Sequence, residues 1–355
     1  MTKDKGSQRG RHWPTVVDLF SGSGAVTTAL KRSRFRVVAA VDNDPIACAT
    51  YRLNHRSVRM FQHDIRKVDP AIIRKSCLKG EDLDVLVVCA PCQPFSSQNR
   101  KRGTDLRSTL ILQAGRFAKT LRPRIIFFEN VPGLAARDEL LDQLKEELGE
   151  DYILGDPERI DAADFGVPQR RIRCIMLATL RATPPKLPDP ITPKGARIDV
   201  RQTIGHLRSL KAGEVDLKDR LHAARKHQDI ALKRLAAVPK NGGSRSSLPP
   251  ELALACHTGL GTGKFSDVYG RMRWDDVAPT LTTGCTDITR GRFAHPDDDR
   301  AITAREAALL QTFPPDYKFT GNGSEIQVQI GNAVPVKLVE ALTPTFRRVL
   351  AEITR

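Results

Sequence analysis

Residues 85–100, VLVVCAPCQPFSSQNR, place two cysteines at C-x-x-C spacing, Cys89 and Cys92, where an apolar run gives way to a proline-punctuated loop. Such a pair can be a redox couple, half of a metal site, or one core thiol beside one reactive thiol. Cys89 lies inside the apolar run and reads as a small buried hydrophobe. Cys92 follows the strand end, between Pro91 and Gln93, where a loop can present a thiol. A thioredoxin-like pair would open a helix, which Pro91 and Pro94 oppose. Zinc would need a second pair of ligands; the sequence has no other C-x-x-C or close Cys/His cluster, and its eight histidines show no triad or ligand spacing, so no metal is expected. A second strand end, IIFFENVPGL, puts Glu129 behind four apolar residues, where desolvation favours a carboxyl that holds or donates a proton near neutrality. A helix-capping acid is the plainer alternative. In GVPQRRIRCIMLAT, Arg171 and Arg173 point the same way as a strand begins, and two fixed guanidinium groups suit an anion or a carbonyl oxygen.

A further group of residues suits a ligand. TVVDLFSGSGAVTTAL reads as strand, glycine turn and helix, with Gly22 and Gly24 letting backbone approach a ligand at the strand's carboxyl end. The third glycine of a dinucleotide fingerprint is absent and no Lys-Ser/Thr pair forms a P-loop, so phosphates are not the expected handle. Asp42 stands where a ribose-binding carboxylate belongs, and Asp64 follows one strand later. Ribose hydroxyls and an adenine amino group both seek carboxylate acceptors. Each acid alone could merely end a strand; together with the glycine turn they fit a nucleoside without phosphates, of which S-adenosylmethionine is the commonest cofactor.

These groups need a scaffold of strand ends. Five apolar runs, TVVDLF, RVVAAVD, VLVVCA, RIIFFEN and RCIMLAT, alternate with amphipathic stretches, as repeated βα units around a mostly parallel sheet do. Residues 1–14 read as a flexible basic arm and 15–189 as the first part of an α/β domain. After the Pro-rich ATPPKLPDPITPKGA, residues 190–300 are rich in Gly, Ser, Lys and Arg with weak periodicity, a smaller loop-rich module. A helix returns in TAREAALLQTF, with Thr303 and Glu306 as a capping box and Pro314 as its stop.

The chain has 355 residues, enough for a large core, and a formal charge of +16 from 57 Lys plus Arg against 41 Asp plus Glu, so a polyanion is a natural partner. Seven cysteines scattered along the chain indicate a reducing compartment rather than a secreted framework. No apolar leader or membrane-length apolar stretch occurs, and a cytoplasmic protein is expected.

The blocks DLFSGSGAVTTAL, APCQPFSSQ, ENVPGL, QRRIR, TAREAALLQTFP and QIGNAVPVKL stand in the order and at roughly the distances found in cytosine-C5 DNA methyltransferases, and over about residues 15–180 and 300–340 the chain resembles that family, in its bacterial and phage form. The resemblance implies a Rossmann-like S-adenosylmethionine-dependent methyltransferase fold with a separate target-recognition domain at 190–300, and a catalytic domain completed by 301–355 returning beside the first strand. It implies Cys92 as nucleophile on cytosine C6, with Glu129, Arg171 and Arg173 as its catalytic partners. It places Phe20 on the adenine, Asp42 on the ribose and Asp64 and Ile65 at the adenine edge, with Asp18, Gly22, Gly24, Asn43, Pro91, Leu110, Asn332 and Ala333 completing the cofactor site. SSQNRKRGTDLRST resembles the mobile loop that closes over a flipped base, and WDDVAPTLTT matches a frequent family segment. Ala25 and Asp42 stand where the family often has Gly and usually Glu, and Ser108 where Gly is commoner. Double-stranded DNA is the implied partner, a cognate restriction endonuclease a second one, and a monomer the expected state. Two rivals remain at this point: a tRNA-directed member of the same family, whose Cys-Phe-Thr signature is missing here, and a non-catalytic DNA-binding protein that keeps the fold.

Overall fold

The computed structural model describes residues 13–91, 106–254 and 267–353. Cys92, most of the loop after it, and the basic arm through residue 12 therefore lie outside the described residues.

Strands β1 (Thr15–Leu19), β2 (Arg36–Asp42), β3 (Arg59–Gln62), β4 (Val85–Val88), β5 (Ile125–Asn130), β6 (Tyr152–Leu154), β7 (Glu158–Asp161) and β8 (Ile172–Leu180) form one sheet. Its order is β3-β2-β1-β4-β5-β8-β6, with β7 also pairing β8. The first five run parallel, and β8 enters antiparallel beside β5. The helices are α1 (Ala25–Arg32), α2 (Pro45–Asn54), α3 (Pro70–Ile73), α4 (Gln113–Leu121), α5 (Asp138–Leu148), α6 (Val200–Ile204), α7 (Asp229–Ala237), α8 (Ala304–Leu310), α9 (Gly323–Asn332) and α10 (Val336–Ile353).

The unbroken Val/Ile/Phe runs of the inner strands are what a sheet covered on both faces requires. Alternate residues divide between two cores: Val16, Val85, Val87, Ile125, Phe127, Ile175 and Leu177 face one, Val17, Leu86, Val88, Ile126, Phe128, Met176 and Ala178 the other. Residues of α4 and α5 (Phe117, Leu121, Leu141, Leu144) cover the second face. The first is covered by α1 and by α10, whose Phe346 lies 5.3 Å from Phe127 and 6.4 Å from Phe35, ring centre to ring centre. The last long helix thus packs on this face beside α1 and over β5. At the amino end of the sheet Asp84 accepts the Thr15 N–H at 2.7 Å and pairs with Arg124 at 2.5 Å, leaving the carboxyl ends for chemistry.

Residues 190–300 divide between cores. Val200, Ile204, Met272, Trp274, Ala278 and Leu281 join the first sheet face, whereas Leu235, Val238, Tyr269, Ile288 and Ala294 form a small core with Ala301. So few apolar residues cannot hold a module alone. Arg271 does much of that work: fully buried, it donates to the carbonyls of Leu235, Val238, His295 and Asp298 and pairs with Asp299. Beneath it, buried Arg300 grips buried Glu306 through two bonds of 2.8 and 2.9 Å.

Glu306 also closes the expected capping box on α8, accepting from the Thr303 N–H at 2.6 Å while Thr303 Oγ1 accepts from the Glu306 N–H at 3.2 Å. The helix stops at Leu310, ahead of the prolines, because Thr312 turns left-handed at φ +62°. No described helix is long and apolar enough to cross a membrane.

Candidate active site

The turn after β1 is built by backbone conformations that side chains resist: Phe20, Gly22 and Gly24 all have positive φ. At Gly24 (φ +97°) a Cβ would also lie 2.6 Å from the His55 ring, so only glycine fits. Half-buried Asp42, at the end of β2, accepts the N–H of Gly22 at 2.8 Å and of Asp44 at 2.9 Å. A carboxylate that already takes the Gly22 amide leaves that amide unavailable to a phosphate and adds repulsion. Among the described residues, nothing lies within 4 Å of where a Cβ at Gly22 would stand. The donor set therefore fits a nucleoside held through its hydroxyls and disfavours a nucleotide.

Below the turn lies a buried polar cluster. Thr27 Oγ1 donates to Asp18 Oδ2 at 2.7 Å, and since that hydroxyl has one proton, the Tyr51 hydroxyl 2.8 Å away donates to it. Asp18 Oδ1 is buried without a hydrogen-bond partner, and burial pushes the Asp18 pKa up to about 7. Burial likewise lowers His55 to about 4. His55 Nε2 faces the Gly24 carbonyl at 3.1 Å, which can only accept, so the neutral ring carries its proton there. Tyr317, which follows α8, donates to the Ser23 carbonyl and locks the same turn.

At the carboxyl end of β5 the register sets Glu129 opposite Ile175, so Arg173, two residues along β8, lies diagonally across on the same face. Arg173 Nε is 2.8 Å from Glu129 Oε1, with only 6% of the Glu129 side chain and 11% of the Arg173 side chain exposed. The next residue, Asn130, points to the other face, donates to the Ala90 carbonyl at 3.3 Å and accepts the Val131 N–H at 2.9 Å. It thereby ties the β5 end to the segment that follows β4.

Arg171 stands apart from this pair. Buried, it donates to the carbonyls of Leu281 at 2.9 Å and Gly331 at 3.0 Å, bracing the strand against two other segments. The remaining candidates sit at loop ends around the sheet's carboxyl edge. Asp64 caps a short 3-10 turn beginning at Ile65 and pairs with Arg66, which lowers its pKa to about 2. Asn43 is exposed after β2, half-buried Leu110 packs on the second core, Pro91 follows Ala90, and Asn332 and Ala333 end α9. Among the described cysteines Cys48, Cys77, Cys174 and Cys285 are free thiols. Burial raises Cys48 and Cys285 to about 12 and Cys174 to about 11, which makes them poor nucleophiles.

With that geometry in place, the family model for the C-5 cytosine-specific DNA methylase matches residues 14–347, nearly the whole chain. The chain belongs to this family. The methylase is 37% identical to the Type II methylase M.HgiDII of Herpetosiphon aurantiacus, over 94% of this chain and 95% of that one. It is 32% identical to the Type II methyltransferase M.PspPI of Psychrobacter sp., over 95% of this chain and 79% of that one. In fold it is similar to an E. coli prophage-encoded protein described as a putative DNA modification methyltransferase, with a TM-score of 0.72 at 22% identity, covering 95% of this chain and 99% of that one. The methylase is thus a DNA cytosine-C5 methyltransferase, and the family implies S-adenosylmethionine as methyl source.

Sequence reading of the methylase passed over Asn130, Gln169 and Gln311. Asn130 was legible in principle from its place beside Glu129. The two glutamines declare themselves only through contacts between segments distant in the chain.

Proposed function

We propose that this methylase modifies C5 of a cytosine flipped out of duplex DNA at a specific sequence, with Cys92 adding to C6. Cytosine C5 is a weak nucleophile; a thiolate at C6 turns the ring into an enamine whose C5 is reactive. Glu129 would engage N3 and the exocyclic amine, and Arg173 would stabilise negative charge developing at the carbonyl oxygen O2. The observation that carries this is the buried Glu129–Arg173 pair at the sheet's carboxyl edge. Asn130 and Arg171 would act by holding strand ends in place. When bound, S-adenosylmethionine supplies a methyl group on positively charged sulfur. Asp42 with the Gly22 turn, Phe20, Asp64, Ile65, Asn43, Pro91, Leu110, Asn332 and Ala333 would hold it, and Asp18 would support the turn from below. Loss of the C5 proton and expulsion of the Cys92 thiolate then regenerate the enzyme.

The basic 190–300 segment would read the sequence, the protein acting as a cytoplasmic monomer. The Type II names of its relatives motivate a cognate restriction endonuclease as partner. Labelled S-adenosylmethionine and genomic DNA test the reading, wild type beside Cys92→Ala, with 5-methylcytosine mapped by sequencing. Label entering DNA only with Cys92 present is expected; label entering equally with Cys92→Ala would sink the mechanism, and label entering tRNA alone the substrate.

A further inference from the structure

Four segments separate in sequence meet around two buried glutamines. Gln169 Nε2 donates to Gln311 Oε1 at 3.0 Å, and Gln311 Nε2 donates in turn to the Ile330 carbonyl at 2.6 Å. On its other side Gln169 Oε1 accepts the Leu281 N–H at 2.9 Å. Both glutamines are fully buried, so each bond is made without competition from water. Arg171 spans the same segments in parallel through the Leu281 and Gly331 carbonyls. The 278–281 stretch is further zipped to the strand by Arg170 N–H to the Ala278 carbonyl at 2.8 Å, and by Thr280 Oγ1 to the Arg170 carbonyl at 2.7 Å.

Each end of this chain of bonds leads to one proposed ligand. The 330–333 turn carries Asn332 and Ala333 toward the cofactor. The 278–281 stretch lies seven to ten residues past Arg271, the buried strut of the recognition segment, with buried Trp274 between them. At Gly331 a Cβ would lie 2.4 Å from the Thr282 carbonyl carbon, so turn and stretch are in backbone contact and cannot shift independently.

We infer that Gln169 and Gln311 are positioning residues that couple cofactor binding at the 330–333 turn to DNA binding by the recognition segment. The inference rests on the proposed function for the identity of both ligands. A carboxamide uses oxygen and nitrogen at once, so displacement of either outer segment strains the bond to the other. Linkage then requires each ligand to tighten the other by the same factor.

The test is titration calorimetry of S-adenosylhomocysteine against the full-length protein, alone and saturated with a duplex oligonucleotide carrying the mapped target site. In wild type the duplex should tighten the analogue about fivefold or more. In Gln311→Met that ratio should fall toward one, however the separate constants move. Thr280→Val, at an exposed position with little risk to folding, should lower it in part. A merely structural role would weaken binding with and without DNA alike and leave the ratio intact. An unchanged ratio in both variants overturns the inference, as does a wild-type ratio of one; in either case methyl transfer to the same duplex leaves the proposed function standing. Failure of wild type to methylate DNA overturns the reading of the site, and this inference with it.

Discussion

Glu129 and Arg173 meet diagonally across two antiparallel strands, Nε 2.8 Å from Oε1, and both are almost withdrawn from water. A buried pair is costly to break from one side only, because the survivor keeps its desolvation penalty without its partner. Arg173→Ala should therefore destabilise the fold by about 3–5 kcal/mol, whereas Glu129→Gln with Arg173→Ala should cost less than the arginine change alone. Urea unfolding of the single and double variants measures this. In single-turnover assays Glu129→Gln should lower methyl transfer by roughly 10²–10⁴-fold while DNA binding persists. Near-normal turnover would remove Glu129 from the chemistry.

The buried cluster beneath the glycine turn makes stability depend on pH in two opposed ways. Asp18 rises from an ordinary 3.8 to about 7, so the unfolded chain releases this proton first. Its contribution is complete below pH 4 and is lost as pH rises to 7, on the order of 4 kcal/mol. His55 falls from 6.5 to about 4, so its contribution is present above pH 6.5 and is lost as pH falls toward 4. Between pH 4 and 6.5 the two oppose each other. Asp18→Asn should flatten the decline from pH 6.5 to 7.5 and leave the acid-side loss in place. An unaltered pH profile of the unfolding free energy would contradict this assignment.

Gly331→Ala places a methyl group 2.4 Å from one backbone atom of Thr282 and 2.6 Å from another of Thr283, neither of which belongs to a movable side chain. Overpacking of this kind costs about 1–3 kcal/mol. The variant should unfold at lower urea and bind the cofactor more weakly. Wild-type stability would mean that the two segments separate more freely than their packing implies.

Binding to duplex DNA should weaken steeply with salt, because a chain of charge +16 displaces counterions from phosphates. With about six phosphate contacts, affinity should fall roughly 10³-fold from 50 to 200 mM salt. Fluorescence anisotropy with a labelled duplex reads this directly, and a flat response would argue against a phosphate-dominated interface.

The five strands that carry long apolar runs were legible in the sequence because both faces of each are buried, and their cores alternate residue by residue. Strands β3, β6 and β7 were harder: they are short and partly exposed, without the fully buried apolar run that marks the equally short β4. Glu129 and Arg173 could be picked out as chemistry-bearing, but their meeting depends on the antiparallel register of β8, which the spacing of QRRIR does not disclose. Residues 190–300 were legible only as basic and loop-rich. Arg271 and Arg300, which composition counts as surface charge, are fully buried in the structure and organise them. Read from sequence, an arginine is a candidate for phosphate; here its forked donors are spent on carbonyls of its own chain.

The Tyr317 hydroxyl holds the Ser23 carbonyl across 294 residues of chain, and Thr50 meets Thr320 across 270. Synthesis at about 5–20 residues per second separates the two sides of that first contact by roughly 15–60 s. Throughout that interval the growing polypeptide carries the glycine turn without its lock, and α10 has yet to cover the first sheet face. A ribosome-bound intermediate therefore keeps that apolar face of the sheet uncovered until the segment that forms α10 has emerged.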